Sequence, residues 1–155
     1  MLIHLTLPVR DLAVAVQFYD AALTVLDAVR SVASAHAVGY AARDSKVPFI
    51  WLVPNSARSG AVNTRIALRA IDAQQVARFH VAAIAAGGVS IAAPAPVPQH
   101  GPDAFGCTIH DLDGHQIDLI ALGTSSPEAP KKSQSSLNEW PDGEAPDYPD
   151  TDWSA

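Results

Sequence analysis

The chain has 155 residues, enough for one domain, and 48% of them are hydrophobic, enough for a core. Its formal net charge of −6 argues against a nucleic-acid groove, because phosphate binding needs a basic surface. The single cysteine, Cys107, cannot form an intramolecular disulfide, which favours a reducing compartment. No apolar run approaches the roughly 18 to 20 residues that span a bilayer, and the N-terminus lacks the features of a secretory signal. We therefore expect a soluble, cytoplasmic protein without a membrane or nucleic-acid partner.

The first part of the chain predicts a strand, a helix and three further strands. Residues 2–7 alternate between two faces, and His4 lies in the middle of this otherwise apolar strand. Asp11 is placed to cap a helix whose apolar residues recur at helical spacing as far as Leu26. The three short strands are expected near residues 29–34, 36–43 and 48–54.

The second part of the chain repeats this order. A strand is expected at residues 63–68, and Asp72 and Gln75 have the spacing of a capping box before the next helix. Gly87-Gly88 ends that helix. The remaining segments are a strand at 89–92, a proline-rich loop at 94–102 that cannot sit inside a sheet, and strands at 105–110 and 115–121. A β-α-β-β-β order that occurs twice indicates an α+β fold built from a repeated module.

Two polar side chains stand inside apolar strands, His4 in the first strand and Asp118 in the last. A polar group buried in a strand costs free energy unless a partner satisfies it. These residues are therefore the first candidates for a functional site. The alternative for His4 is a core histidine that is hydrogen-bonded to a neighbouring strand or to water.

Three segments together resemble the glyoxalase/bleomycin-resistance/dioxygenase group, the vicinal oxygen chelate superfamily. They are HLTLPVRDLAVAVQFYDAAL near the start, TRIALRA with its following helix, and DLDGHQIDLI. The resemblance covers about residues 1–122, as modules of about 1–56 and 61–122. It implies two paired β-α-β-β-β modules that form a half-open, cup-shaped mixed sheet with helices outside. Members of this group are often dimers with a divalent metal in the cup, so the resemblance also implies a homodimer.

The resemblance places the metal ligands of the group at His4, Arg65 and Asp118. Arginine is always protonated and has no lone pair to give, so Arg65 cannot ligate a cation. His4 and Asp118 alone fall short of the three or four ligands of a transition-metal site. We therefore favour a cup without a metal cofactor, and expect His4 and Asp118 to hold the metal if one binds.

A guanidinium at position 65 takes the place of the missing cation in this interpretation. Strand parity puts Asn63 and Arg65 on one face, and a fork-shaped guanidinium pairs well with the carboxylate of Asp118. The pair either satisfies itself as a structural ion pair or holds an anionic ligand between Arg65, His4 and Asn63. A one-residue change of register would turn Arg65 outward and remove this argument.

Two further residues are candidates for the ligand pocket. Trp51 is either a stacking wall for an aromatic ligand or part of the core. His100 lies in the loop QHGPD at the expected mouth of the cup, as a general base or as an ordinary exposed side chain. Cys107 in mid-strand is expected to be a buried thiol, and Asp111 and Asp113 are expected to be turn residues.

Residues 123–155 form an acidic tail rich in proline and serine. From residue 124 onward it carries seven acidic and two basic residues, and it includes Leu137, Trp140, Tyr148 and Trp153. So few apolar residues cannot build a core. The tail is either disordered or a docking peptide whose aromatic anchors pack along its own or a partner subunit.

Three functions remain open at the level of sequence. The first is a small-molecule binder that uses a cup lacking the usual metal triad, and Arg65 favours it. The second is a divalent-metal-dependent lyase, isomerase or dioxygenase of the glyoxalase type. The third is an interaction module that acts through the aromatic residues of its tail.

Overall fold

The structure, a computed structural model, describes residues 4–55 and 64–123. Asn63 and the tail from residue 124 onward, both named above, lie outside the described residues. The first module runs β1 (Leu5–Val9), α1 (Leu12–Thr24), β2 (Ala28–Ala33), β3 (Val38–Ala42) and β4 (Ile50–Pro54). The second runs β5 (Arg65–Ala70), α2 (Ala73–Ala85), β6 (Val89–Pro96), a 3-10 turn (Pro98–His100), β7 (Phe105–His110) and β8 (Gln116–Ala121). The α+β class and the repeated β-α-β-β-β order are confirmed.

The strands form two mixed sheets of four strands, one from each module. Sheet A has the order β1-β4-β3-β2 and sheet B the order β5-β8-β7-β6. In each sheet the first and last strands of the module pair in parallel, and the other neighbours are antiparallel. The first strand of each module is therefore an edge strand beside the last one.

Both helices begin where the sequence predicts. The Asp11 carboxylate accepts a hydrogen bond from the Val14 amide at 3.1 Å, and the Asp72 carboxylate accepts one from the Gln75 amide at 2.7 Å. The side-chain oxygen of Gln75 in turn accepts from the Ile71 amide at 2.9 Å. These bonds satisfy amides that a helix start leaves without an intrahelical partner. Gly87 follows the second helix with a φ of 99°, a conformation that glycine adopts without steric cost.

The core lies on one face of each sheet. Its largest buried side chains are Leu7, Phe18, Tyr19, Leu23, Tyr40, Ile50, Leu52, Phe79, Ile109, Ile117 and Leu119. Each helix packs on its own sheet, and the two helices also contact each other. The opposite face of sheet B carries the alternate residues of its strands, among them the exposed side chains Arg65, Ala67 and Arg69. That face is therefore available to line a site.

Buried polar contacts join the two modules. The Tyr19 hydroxyl of α1 donates to the Asp111 carboxylate of the β7–β8 turn at 2.7 Å. The His115 ring lies between the modules, with Nε2 2.8 Å from the Pro8 carbonyl oxygen and Nδ1 accepting from the Thr64 amide at 3.2 Å. Because Nδ1 accepts, Nε2 carries the proton and donates to Pro8. Asp111 is therefore a structural turn residue, as the sequence predicts.

Strand β6 extends further than the sequence predicts. The sequence predicts a loop from residue 94, yet β6 continues through Pro94 to Pro96. It can do so because β6 is the edge strand of sheet B, and its register against β7 shifts twice. A proline at an edge or a bulge loses no ladder hydrogen bond. In the described part of the chain, no helix is both long and apolar enough to cross a membrane.

Candidate functional site

Arg65 and Asp118 meet on the open face of sheet B. The guanidinium Nε donates to Asp118 Oδ2 at 2.8 Å. The other carboxylate oxygen, Oδ1, accepts from the Thr108 hydroxyl at 2.7 Å and from the Gln116 side-chain amide at 3.2 Å. The expected contact between Arg65 and Asp118 is therefore present, and three donors hold the carboxylate in place.

These donors also fix the charge of Asp118. Burial alone raises the pKa of a carboxyl group, because it disfavours the charged form. The hydrogen bonds from Thr108, Arg65 and Gln116, together with the positive charge of Arg65, outweigh that effect and hold the pKa of Asp118 below its usual value. The carboxylate is therefore ionised at neutral pH.

The two members of the pair differ in exposure. The side chain of Asp118 is 10% exposed, whereas that of Arg65 is 70% exposed. Within residues 4–55 and 64–123, Nε is the only atom of the guanidinium that has a hydrogen-bond partner. The terminal amino groups of Arg65 therefore stay accessible. Their orientation is set by the contact between Nε and the Asp118 carboxylate.

A cavity of about 220 Å³ lies beside this pair. We call it the sheet B cavity. Its polar lining includes Arg65, Thr108, Asp118 and His100, the last from the short 3-10 turn. Its apolar lining is made mostly of small residues, including Ala92, Ala93, Ala95, Pro96 and Gly106. The structure thus brings together three of the residues that the sequence selects, Arg65, Asp118 and His100.

The other candidates from the sequence lie elsewhere. His4 is exposed and precedes β1, so its expected position in the middle of a strand is wrong. Alternation along residues 2–7 predicts which face a residue takes, but not where strand pairing begins. Trp51 is half-buried in β4 of sheet A, close to Gly39. Neither His4 nor Trp51 lines the sheet B cavity.

The repeat relates these residues to the pair in sheet B. His4 stands as far before the helix cap Asp11 as Arg65 stands before the cap Asp72. In the parallel ladders, Leu5 pairs with Ile50 and Ile66 pairs with Ile117, so Trp51 corresponds to Asp118. His4 and Trp51 are therefore the counterparts, in the first module, of Arg65 and Asp118.

Thr108 is a site residue that the sequence analysis missed. It lies directly opposite Asp118 in the β7–β8 ladder. The signal was available in the hairpin, because the tight turn at Asp113-Gly114 fixes which residues of the two strands face each other. A hydroxyl opposite a carboxylate on the same face is a natural donor to it.

Within one copy of the chain, the described residues offer few metal ligands at this position. Both oxygens of Asp118 accept hydrogen bonds, Arg65 cannot ligate a cation, and His4 precedes the first strand of the other module. In the described ranges there is no group of three histidine, cysteine, aspartate or glutamate residues that could hold a metal ion. A transition-metal site ordinarily needs three or four such ligands.

A larger groove lies on the first module, but it contains fewer of the candidate functional residues. It has a volume of about 640 Å³ between α1 and the β2–β3 hairpin. At its base the Asp20 carboxylate accepts from the Tyr40 hydroxyl at 2.8 Å and pairs with Arg30 at 3.1 Å. None of the residues selected from the sequence lines it. The sheet B cavity is therefore the stronger candidate site.

Comparison with solved structures identifies the fold. A glyoxalase/bleomycin resistance protein from Albidiferax ferrireducens has a TM-score of 0.66 and 24% identity, over 77% of this chain and 97% of that one. A glyoxalase/bleomycin resistance protein/dioxygenase family enzyme from Burkholderia phytofirmans has a TM-score of 0.60 and 17% identity, over 77% and 97%. The fosfomycin resistance protein FosX from Mesorhizobium loti has a TM-score of 0.57 and 18% identity, over 78% and 91%.

No family model and no curated protein matches the sequence. The likeness to the solved structures nevertheless extends over almost the full length of each of the three. At these identities it is a likeness of fold, and it agrees with the resemblance seen in the three sequence segments. The chain therefore has the fold of the glyoxalase/bleomycin resistance/dioxygenase group.

Proposed function

We propose that the protein binds a small anionic molecule in the sheet B cavity, with the guanidinium of Arg65 as the cation. The observation that carries this proposal is the 2.8 Å contact between Arg65 Nε and Asp118 Oδ2 at the edge of the cavity. It orients a permanent positive charge while leaving the terminal amino groups accessible. A carboxylate or similar group accepts two parallel hydrogen bonds from that edge of a guanidinium.

Asp118 acts as a positioning residue in this proposal. A free arginine side chain loses considerable rotamer freedom when it binds a ligand. Because the Asp118 carboxylate is itself held by Thr108 and Gln116, it fixes the guanidinium before the ligand arrives. Less entropy is then lost on binding, which is the benefit of preorganisation. His100 at the rim is a second polar contact for the ligand.

We further propose that a second copy of the chain completes the site. The helices pack on one face of each sheet, and the equivalence of the modules gives the other two faces related shapes. In a homodimer, the open face of sheet A from one copy can cover the open face of sheet B from the other. That arrangement brings His4 and Trp51 of the second copy to the cavity, where Trp51 supplies a stacking wall.

The first experiment measures metal and oligomeric state together. We expect protein purified without chelator to contain far less than one equivalent of metal by elemental analysis. Sedimentation equilibrium should give the mass of a dimer. Near-stoichiometric zinc, nickel, manganese or iron that is lost in His4→Ala would instead support a metal-dependent enzyme of the glyoxalase type and overturn the proposal.

The second experiment tests the role of the guanidinium. Arg65→Met keeps an unbranched, apolar stem and removes the guanidinium and its charge. We expect it to abolish the binding of small carboxylates measured by titration calorimetry. Arg69→Met is the matched control, because Arg69 is exposed on the same strand and does not line the cavity. Equal binding by wild type and Arg65→Met would contradict the proposal.

A further inference from the structure

We propose that the sheet B cavity selects small monocarboxylates with an apolar body, of about the size of benzoate. This inference rests on the proposed function, because it requires that Arg65 binds the anionic group. It goes further by naming the rest of the ligand. Three properties of the cavity support it: its volume, the character of its walls and the distribution of its charges.

The volume limits the ligand to a small molecule. Pockets for drug-sized ligands have volumes of roughly 300 to 1,000 Å³, whereas this cavity has about 220 Å³. A water molecule takes up roughly 30 Å³ of liquid, so a cavity of about 220 Å³ corresponds to about seven water molecules. A single ring or a short branched chain with one carboxylate fills such a space.

The wall opposite the charged pair is apolar. The β6–β7 ladder places Ala92 opposite Thr108 and Ala95 opposite Gly106, next to the residues that hold Asp118. Val97, Pro96 and Ile120 extend this surface. None of these side chains offers a hydrogen bond, so this wall favours an apolar ligand body. The polar lining residues Gln99 and His100 come from the 3-10 turn that follows β6.

Small residues keep the space open. A Cβ atom added to Gly106 would lie 3.0 Å from the Leu119 carbonyl oxygen, 3.3 Å from Val97 and 3.4 Å from Ile120. The alanines on β6 likewise end at one carbon. Larger side chains at these positions would occupy the cavity. The small size of these residues therefore leaves the space between the apolar wall and the guanidinium open.

The charges favour a monoanion. Among the described residues that line the cavity, Arg65 is the only permanent cation, and Asp118 lies beside it as a carboxylate. The pair together is close to neutral. A dianion such as phosphate would bring a second negative charge close to Asp118, and unpaired charge in a partly enclosed site is costly. The single negative charge of a monocarboxylate is paired by the accessible edge of the guanidinium, without a second cation.

The test is a titration series on the full-length protein. Benzoate and cyclohexanecarboxylate are compared with acetate, which lacks the apolar body, with inorganic phosphate, and with neutral benzamide. We expect the two larger carboxylates to bind at least roughly tenfold more tightly than the other three ligands, since ring burial and ion pairing each add to affinity. Arg65→Met should remove this binding.

A variant that fills the cavity gives a second readout. Ala92→Leu adds volume to the lining of the cavity at an exposed position. We expect it to weaken benzoate binding at least roughly tenfold, because the larger side chain would occupy space that the ligand body needs. Ala77→Leu, on the exposed face of α2, is the matched control and should leave binding unchanged. Unfolding curves identify any variant that fails to fold.

The outcomes separate this inference from the proposed function. If acetate or phosphate binds as tightly as benzoate and Arg65→Met removes that binding, the ligand class is wrong and the anion site stands. If benzamide binds as tightly as benzoate, or if Ala92→Leu leaves benzoate binding unchanged, the inferred pocket is wrong. If none of the anions binds, or if Arg65→Met binds them as wild type does, both proposals fail.

Discussion

Arg65 and Asp118 meet along a diagonal of the β5–β8 ladder. Arg65 pairs with Gln116, and Asp118 pairs with Ala67. Because alanine ends at one carbon, the residue opposite Asp118 leaves room for the long arginine side chain to lean across it. Because Ala67 is small, the ion pair can form at the edge of the cavity.

Removal of the charge at position 65 is expected to change stability little. The Arg65 side chain is 70% exposed. When the guanidinium is removed, Asp118 still accepts hydrogen bonds from Thr108 and Gln116. We expect Arg65→Met to lower the free energy of unfolding by about 1 kcal/mol or less. Urea denaturation measures this change. A loss of several kcal/mol would show that the pair is chiefly structural and would weaken the proposed role in binding.

Acid should remove a contribution that Asp118 makes to stability. Its pKa is lowered in the folded protein, so the unfolded chain takes up a proton first as the pH falls. The contribution is therefore complete well above the ordinary carboxyl pKa of about 3.9 and is lost below it. The difference in unfolding free energy between wild type and Asp118→Asn should be larger at pH 6 than at pH 3. A difference that does not change between these pH values would contradict the assignment.

The hydroxyl of Tyr19 should contribute more to the free energy of unfolding than the hydroxyl of Tyr40. Both rings are buried. Tyr19 donates to Asp111, which is 5% exposed, whereas Tyr40 donates to Asp20, whose side chain is 36% exposed. Loss of a donor to a buried carboxylate costs about 1 to 3 kcal/mol, and loss of one to a solvated carboxylate costs less. Thermal or urea unfolding of Tyr19→Phe and Tyr40→Phe compares the two directly, and equal losses would contradict this account of the contact between modules.

Cys107 should resist thiol reagents in the native protein. Burial raises the pKa of its thiol to about 11, so at pH 8 the reactive thiolate is a fraction on the order of 0.001. We expect labelling by a disulfide reagent to be at least about a hundredfold slower than in urea, and to follow opening of the fold. Fast labelling of the native protein would show that the thiol is accessible.

The helices and their caps are predictable from sequence because their determinants are local. Asp11 and Asp72 each reach an amide three residues ahead in the chain. The contact between Arg65 and Asp118 is also predictable once the strands are assigned, because alternation puts both on one face. These features depend only on the alternation of residues along a strand and on the short spacing between a cap residue and the amide it accepts from.

Other features depend on tertiary structure and are not predictable in this way. The extension of β6 through Pro94 is possible because β6 is an edge strand, which a local pattern does not reveal. The position of His4 depends on where β1 begins to pair with β4. The strand order places β1, which follows His4, and β5, which begins at Arg65, in different sheets.

The most direct test of the account is a crystal structure of the protein grown with both manganese and benzoate. We predict that the carboxylate of the ligand lies against the terminal amino groups of Arg65, with Asp118 still bonded to Nε and the ring on the alanine wall. Density for a metal ion bound by a His4 imidazole and the Asp118 carboxylate, with Arg65 turned into solvent, would contradict it.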